Sequence, residues 1–508
     1  MSRTVLVVGG GCGGVLVSRE LLRHTATSVT LVDPSASPGT GVAYGPAARP
    51  WHLLNSPAGT MSADPDAPGD FLDWCRVRRP TTTAGDFMPR SWYGDYLRDV
   101  LEATERAAPG RLRIVRDRVT RIVDTAAPEF DAAGPVAAGL GSVGRGATDL
   151  GPGGRGATEF GSVGRDAAEL GSRGRVRVRL GSGEWLPADR VVLAIGPPAS
   201  TDPAARWPAA AEPNSGYVRD PWLPGALDEV PVDQPVLLVG TGLTAVDVAL
   251  SLAAAGQRGP MVAVSRHGLL PNAQHRPGRP VAVPTALPQS AESLRRLVRQ
   301  VRALVEAGAD WRAVVDGLRP RLDTYWSGFS PADRDRFLRH LARHWEVHRH
   351  RMAPEIADEI GRLRAAGRLA VRAGVVEAVE PRPGGGLYVR LGHRSPVAED
   401  TRLDGYGAVV NCTGPGRLPA SADALVGQLL TDGLARTGPY GLGLDVDDTG
   451  AVRGRDGTPT APLWTLGSAR RGRLWETTAV PEIRGQARGI AARFAALDSE
   501  TGSYVATA

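Results

Sequence analysis

Apolar positions along the chain fall into two kinds of run. The first is short, unbroken and β-branched. Thr4-Val5-Leu6-Val7-Val8 is such a stretch, short enough to predict a buried parallel strand. Residues 15–24 then carry a helical pattern, and residues 28–32 predict a second strand ending at Asp33. The same order returns later: Pro235 to Val239 reads as a strand, 246–254 as a helix and 261–264 as the next strand. Further short apolar runs at 176–180, 190–195, 387–391, 406–411 and 463–466 predict strands, and 112–124 alternates as a strand pair would. The second kind of run has the helical period. It covers 70–76, 91–107 and the long stretch 291–364, where Leu294, Leu297, Val298, Val301, Leu304 and Val305 recur at helix spacing. A last helix opens within 475–484, with Thr478 as N-cap, and runs to about residue 497.

What lies between strand and helix gives the two units their chemistry. Gly9, Gly11 and Gly14, with Cys12 and Gly13 between them, satisfy G-x-G-x-x-G directly after the first strand. Gly9 permits the tight turn, Gly11 lets backbone approach a pyrophosphate and Gly14 lets helix pack close to strand. The helix N-terminus then aims unpaired N–H groups at the phosphates. Asp33 stands about 20 residues on, where a carboxylate takes the adenosine ribose hydroxyls. In the second unit Gly240, Gly242 and Ala245, with Thr244, fill the same positions, alanine being an accepted third member. Its second strand ends in Ser265-Arg266-His267, with no acid. An Arg pairs with a 2′-phosphate where a carboxylate would repel it. The first site therefore suits FAD and the second NADPH.

The fold class expected is α/β: two Rossmann-like dinucleotide-binding domains, the second inserted in the first, plus a helical segment. The first part of the FAD-binding domain is placed at 1–200, the NAD(P)-binding domain at 232–400 with its helical segment at 291–364, and the return to the FAD-binding domain at 404–508. Two strands leave through Gly-Pro, at Gly196-Pro197 and Gly414-Pro415, as expected of a chain that crosses between domains twice. Within the first part, 134–175 is a Gly-rich decapeptide repeat, read as a flexible insertion without a catalytic role. Long loops at 34–62 and 268–288 are rich in Gly and Pro, and loops of that length are usually functional.

Composition narrows the chemistry. The chain has 508 residues and a formal net charge of +6, and all 60 of its Lys and Arg residues are arginine. Schiff-base and lysine general-base mechanisms are thereby excluded. The basic residues are spread out, with no block of the kind that tracks nucleic acid. Cys12, Cys75 and Cys412 are far apart and form neither a redox pair nor a zinc set. The stretch 345–354 concentrates His and Arg, but no carboxylate and histidine set is spaced for a metal, so none is assigned. No apolar run reaches transmembrane length and no signal peptide is read, so a cytoplasmic protein is expected, acting on a small molecule and O2 with no membrane or nucleic-acid partner.

Two nucleotide units in one chain suit hydride transfer from nicotinamide to flavin. Disulfide reduction would need a cysteine pair. An oxygen-using monooxygenase needs no catalytic side chain, because a flavin C4a-peroxide carries the chemistry in a dry pocket. A reductase passing electrons to a partner or quinone, and a non-catalytic flavoprotein, are the alternatives. A helix N-terminus near Thr478 could stabilise the anionic pyrimidine end of reduced flavin.

Several motifs together resemble the FAD/NAD(P)-binding proteins named after the HpyO-type FAD-dependent urate hydroxylase, and are similar to aspartate N-hydroxylases. They are Gly9–Gly14, Gly41-Val-Ala-Tyr44 with Leu53-Leu-Asn55 and Met61-Ser62, Gly240–Asp247, Arg349-His-Arg351-Met-Ala-Pro354 and Leu474-Trp-Glu-Thr-Thr-Ala-Val-Pro-Glu-Ile-Arg484. The resemblance implies a flavin monooxygenase using FAD and NADPH on a small polar substrate, with amino-acid N-hydroxylation its sharpest form. It also implies that the loop bearing Gly41, Asn55 and Met61 faces the flavin, and that the strand exits Gly196, Gly414 and Gly467 border the cofactors. Ser468 stands where many such flavoproteins have Asp, and Thr60 is placed to contact substrate. Arg276, Arg279 and Arg436 are the candidates for a substrate carboxylate, since Arg binds it bidentately.

Overall fold

The computed structural model describes residues 3–125, 175–211, 215–276, 278, 283–392, 403–418, 423–459 and 462–505. The decapeptide repeat lies outside the described residues, apart from Arg175. In chain order the strands are β1 (Thr4–Val8), β2 (Ser28–Val32), β3 (Leu112–Val115), β4 (Val119–Asp124), β5 (Val176–Leu180), β6 (Trp185–Ala188), β7 (Arg190–Leu193) and β8 (Tyr217–Val218). They continue with β9 (Val236–Val239), β10 (Met261–Ser265), β11 (Leu369–Ala373), β12 (Val375–Pro381), β13 (Leu387–Gly392), β14 (Asp404–Tyr406), β15 (Ala408–Asn411) and β16 (Leu463–Thr465).

Two parallel sheets carry the fold. One runs β16-β7-β1-β2-β3 and the other β11-β10-β9-β15-β8. The chain leaves the first sheet after β7, builds the second, and returns after β15 to add β16 beside β7. The second dinucleotide unit is thus inserted in the first, as its repeated strand-glycine-helix order predicts. Antiparallel sheets β4-β5-β6 and β12-β13-β14 accompany the two. Strands β1, β7 and β15 are apolar save for Thr4, Arg190 and Asn411 at their ends and almost wholly buried, as strands covered on both faces must be. The first helix, Cys12–His24, shares one core with the last, Val480–Val505: Val15, Leu16 and Leu21 lie in the same buried cluster as Ala487, Ile490 and Phe494.

Four strands arrive without a sequence expectation, the short β8 among them. β6, β11 and β12 border their sheets, and β12 in particular is largely exposed, so no apolar run marks it. The long helical stretch is a series of helices: Leu294–Glu306, Trp311–Leu318, Leu322–Gly328, Pro331–His340, Ala342–Arg349 and Pro354–Ala365. Gly308 with φ +93°, the N-caps Asp310 and Ser330, and Pro331 and Pro354 at first turns break it, while the apolar period runs on across the breaks. Among the described residues no helix is long and apolar enough to cross a membrane.

Candidate functional site: two nucleotide cradles and a covered return loop

At the first cradle Gly9 turns the chain with φ +100° and donates its N–H to Val32 O at 2.8 Å. A Cβ on Gly9 would meet Ala194 O at 2.5 Å, and one on Gly14 would meet Gly9 O at 1.9 Å. Those two glycines are needed by the protein itself. Gly11 differs, because a Cβ there would meet only the Gly41 backbone, at 3.5 Å or beyond. The 34–62 loop folds onto the turn, with Gly39 N–H donating to Gly10 O at 2.6 Å, and this places Gly41 beside Gly11. Helix Cys12–His24 begins with no side-chain cap and no acid in its first turn. Four helices away from the cradles are capped, by Ser293, Asp310, Ser330 and Asp423, whereas others, Arg90–Ala107 and Pro354–Ala365 among them, are not. The uncapped first turn of Cys12–His24 keeps its N–H donors for an anion. Asp33 is fixed alongside, accepting from Gly10 N–H at 2.6 Å and Ser35 N–H at 2.8 Å. Burial pushes the Cys12 thiol up to about 12, so it stays neutral.

The second cradle repeats the backbone bonds of the first turn. Gly240 N–H donates to Val264 O at 2.8 Å, and Cys412 N–H to Val239 O at 2.9 Å, as Ala194 N–H does to Val8 O at 2.8 Å. A Cβ on Gly240 would fall 2.1 Å from Cys412 O, whereas nothing stands within 4 Å of one on Gly242. Ala245 is buried and fits. Helix Leu243–Ala254, with Thr244 in its first turn, also lacks a side-chain cap and a first-turn acid. By this register Ser265 takes the place of Asp33, with its hydroxyl 2.8 Å from that of Thr241. Arg266 follows it, exposed. A second cation, unremarked in the sequence, lies here too: Arg343 donates to Thr241 Oγ1 at 3.2 Å and to Leu269 O at 2.9 Å.

The two units are clamped together. Arg90, on the first unit's helix Arg90–Ala107, pairs with Asp247 on helix Leu243–Ala254 at 2.7 Å, both largely buried. His52 Nε2 lies 2.9 Å from Ser251 Oγ, and Gln274 donates to Asn55 O at 3.4 Å. Burial, with help from Arg90, lowers the His52 pKa. The two crossover segments run side by side: Gly416 N–H donates to Ala199 O at 3.0 Å and Thr413 Oγ1 to Thr201 O at 3.1 Å. Open space stands beside Gly196, Gly414 and Gly467, just beyond the carboxyl ends of β7, β15 and β16. That is where doubly wound sheets take their ligands.

After β16 a buried network holds the return loop. Thr477 Oγ1 donates to Gly467 O, Gln486 Nε2 to Thr477 Oγ1 and Gly467 N–H to Gln486 Oε1, each at 2.8 Å. Ser468 donates to Gly196 O, tying one strand exit to another. The last helix begins at Val480 and continues to Val505, past the expected end. Ile483 N–H bonds Ala479 O at 2.9 Å, so Thr478 lies outside the helix, exposed, and is not its N-cap. The threonine buried against Gly467 is its neighbour Thr477.

The helical segment covers this loop. Trp326 donates to Gly472 O at 2.9 Å, and the rings of Trp326 and Phe337 pack on Trp475 at 5.1 and 4.8 Å between centroids. Beside them a small cavity opens, lined by Trp345, Glu346 and His350 from the helical segment and by Arg471, Trp475, Glu476 and Thr478 from the loop. Glu476 is buried and fully engaged, accepting from Trp345 Nε1 at 3.0 Å and Arg349 Nε at 3.1 Å. Burial opposes its ionisation, but Arg349 and His350 outweigh it and hold the carboxyl below its usual range. Burial, then Arg349, push His350 down to about 4, so its ring is neutral near neutral pH.

The arginines singled out for a substrate carboxylate are not brought together. Arg276 is exposed and gives both of its bonds, 2.7 and 2.9 Å, to Asp358. Arg436 is held by Asp445, with Nε at 2.6 Å from Oδ2. Arg279 lies outside the described residues. Thr60 is exposed, its hydroxyl donating to Pro57 O at 2.9 Å, and the Met61 side chain belongs to the core. The cavity instead presents Arg471, with Arg349 behind it. Arg349 belongs to the quoted motif Arg349–Pro354, whose sequence reads as an Arg/His helix face, solvated or lining the domain cleft, and only Glu476, 127 residues away in sequence, explains its burial.

Residues 6–131 match the family model described as FAD-NAD(P)-binding, so the N-terminal region is a domain of that kind. No curated protein sequence matches the chain. Among solved structures, the chain is similar to the ornithine hydroxylase PvdA of Pseudomonas aeruginosa, with 15% identity, a TM-score of 0.59, and 97% of this chain and 99% of that one covered. It is similar to the ornithine N-hydroxylase KtzI of Kutzneria sp. 744, solved with reduced FAD, NADP+ and L-ornithine, at 14% identity, TM-score 0.59 and the same coverage, 97% and 99%. The L-lysine 6-monooxygenase of Pseudomonas syringae gives 16% identity, TM-score 0.59, and 97% and 99% coverage. The likeness extends over nearly the full length of each and establishes the fold: two dinucleotide-binding domains, one inserted in the other.

Proposed function

We infer that the protein is an FAD-dependent monooxygenase that draws its electrons from NADPH and hydroxylates a small polar substrate, with an amine nitrogen the favoured acceptor. The observation that carries this reading is the covered return loop. A flavoprotein that only relays electrons needs an open edge for its acceptor. Here Trp326, Phe337 and Trp345 close over the loop that follows β16 and leave a small lined cavity beside it. That architecture keeps water from a reacting centre. The solved structures of the same fold described above bear the names of ornithine hydroxylases and a lysine monooxygenase.

In this reading the first cradle holds FAD. Gly11 and the uncapped turn of helix Cys12–His24 take its pyrophosphate, and Asp33 takes the adenosine ribose. The second cradle holds NADPH, with Gly242 and helix Leu243–Ala254 at the pyrophosphate and Arg266 at the 2′-phosphate. When bound, FAD supplies hydride acceptance and oxygen activation. The protein aligns the two nucleotides through Arg90–Asp247, excludes water with its tryptophans and orients the substrate. The test is anaerobic reduction of the purified holoprotein by NADPH, followed by mixing with oxygen in the presence of a panel of amino acids and diamines. The expected result is NADPH oxidation matched by hydroxylamine product, with a lag between oxygen uptake and return of the visible flavin band. Immediate return of the band, all reducing equivalents recovered as hydrogen peroxide, and fast electron transfer to an added quinone would overturn it in favour of a reductase.

A further inference from the structure

The two cradles differ most at the corner where the first has Asp33. There Asp33 packs so closely on the glycine turn that a Cβ on Gly10 would fall 2.8 Å from the Asp33 Cβ, and the carboxylate accepts from Gly10 N–H at 2.6 Å. In the second cradle both partners are exchanged. Thr241 takes the place of Gly10 and Ser265 that of Asp33, with their hydroxyls 2.8 Å apart. A shorter side chain on the strand makes room for a longer one on the turn, and the corner loses its negative charge.

A cation from the helical segment stands there instead. Arg343 lies 102 residues beyond Thr241 in sequence, and its Nη2 donates to Thr241 Oγ1 at 3.2 Å and to Leu269 O at 2.9 Å. Those bonds set the guanidinium against the glycine turn and against the loop that follows β10. They occupy one nitrogen of the fork. Among the described residues Nη1 meets only Glu346, at 3.5 Å, and the other oxygen of Glu346 lies 3.4 Å from Arg471. The Arg343 side chain is 28% exposed, so a ligand can reach it. It stands in the first turn of helix Ala342–Arg349, where the helix dipole disfavours a cation and no acid offsets it. The same helix end runs along the loop: the His344 ring lies 6.2 Å from that of His267, between centroids. Arg266, exposed, directly follows Ser265.

We propose that Arg343 is a specificity-determining residue of the second cradle, a second arm that grips the 2′-phosphate of the coenzyme opposite Arg266. This rests on the reading of that cradle as an NADPH site. A guanidinium fixed through one nitrogen, with its remaining donors turned to a corner cleared of carboxylate, suits a phosphate dianion. The coenzyme is then held from two sides, its pyrophosphate by the second unit and its 2′-phosphate partly by the segment that covers the return loop.

Full-length FAD-loaded protein is titrated calorimetrically with adenosine 2′,5′-bisphosphate and with 5′-AMP, which differ by the 2′-phosphate alone. The unaltered protein is expected to bind the bisphosphate more tightly. Arg343→Gln keeps an amide N–H for Thr241 and Leu269 O but removes the charge. It should weaken the bisphosphate about tenfold or more, the cost of a lost charged hydrogen bond, and leave 5′-AMP unchanged. A merely structural bond between helix and loop would move both nucleotides together. A second measurement needs no variant: phenylglyoxal modification of Arg343, followed by peptide mass, should be slowed by the bisphosphate and not by 5′-AMP. Should Arg343→Gln fail to fold, that labelling decides. Unchanged bisphosphate binding in the variant, equal loss of both nucleotides, or labelling of Arg343 that the bisphosphate does not slow would overturn the proposal. The two readings fail separately. No preference for the bisphosphate in the unaltered protein removes the NADPH assignment and this proposal with it. A preference that ignores Arg343 leaves the NADPH assignment standing and removes the proposal alone.

Discussion

At the scale of single residues, the glycines of the two cradles divide by what would touch an added methyl group. Gly14 faces Gly9 O at 1.9 Å from a built Cβ, so the backbone must give way. Gly242 faces nothing within 4 Å, so no contact within the protein requires its smallness, and on the proposed reading it serves the ligand. Gly14→Ala is therefore expected to lose soluble, FAD-loaded protein. Gly242→Ala should keep its FAD and its thermal midpoint while raising the KM for NADPH, and a lowered midpoint would refute the distinction. Arg266 makes a second contrast. It is exposed at the end of β10, beside the glycine turn and where the first unit has Asp33 one residue earlier. Arg266→Ala should weaken NADPH by about 1–3 kcal/mol, the range of a lost charged hydrogen bond, and leave NADH nearly unaffected. Equal loss with both nucleotides, in steady-state KM values, would remove the 2′-phosphate assignment. His350 adds a pH signature. Burial and Arg349 put its folded pKa at about 4, against about 6.5 for a free histidine. Between those values the unfolded chain binds more protons, so stability rises with pH across that window and the contribution is lost as pH falls toward about 4. The depressed Glu476 carboxyl acts in the same sense, its share being lost as pH falls through its own folded value. Urea midpoints measured from about pH 7 down to about pH 4 should fall, and His350→Asn should flatten the upper part of that fall.

At the scale of elements, legibility followed periodicity. Strands β1, β9 and β10 and the two glycine turns are written in contiguous residues, and each stands close to where the apolar runs place it. Border strands β11 and β12 could not be seen this way, because an exposed strand carries no apolar run. The long helical stretch showed its period but not its breaks. Gly308, Asp310, Ser330 and Pro331 are stop and start signals, yet the heptad-like apolar pattern continues across them because the short helices share one core with Trp475. The candidate site was half legible for a related reason. Cradle residues act locally, so spacing finds them. The cavity is made by long-range pairs, Arg349 with Glu476 and Arg471 with Glu346, each more than 120 residues apart, and no local pattern records such a pair. Arg276 and Arg436 drew attention by residue type in loops, but their neutralising partners Asp358 and Asp445 come from chain geometry. Thr478 failed as a cap for the same reason: the helix begins with Ile483 N–H on Ala479 O, and the buried threonine is Thr477, whose network with Gln486 and Gly467 is visible only once β16 and the helix are side by side.

At the scale of the whole molecule, the chain's problem is to present two separate nucleotides to one another. The sheets are joined by two crossover segments that run side by side, and such a hinge leaves their angle free unless something else fixes it. Arg90–Asp247 is the polar contact best placed to do so, since it joins the helix that packs on the first core to the helix of the second cradle. The pair is largely buried, with side chains 17% and 6% exposed, so removing one partner strands a charge. Asp247→Asn is expected to destabilise the protein by about 3–5 kcal/mol and to slow flavin reduction by NADPH. Stability loss alone could explain slower reduction, so a second variant is needed. Arg90→Met with Asp247→Leu replaces the pair by apolar contact of similar volume and should recover most of the lost stability. It supplies no directional bond, so the rate of flavin reduction should stay low although FAD content and thermal midpoint return. Recovery of the rate along with stability would mean that the pair only holds the domains together, and that the angle between the cradles is set by the crossover segments themselves.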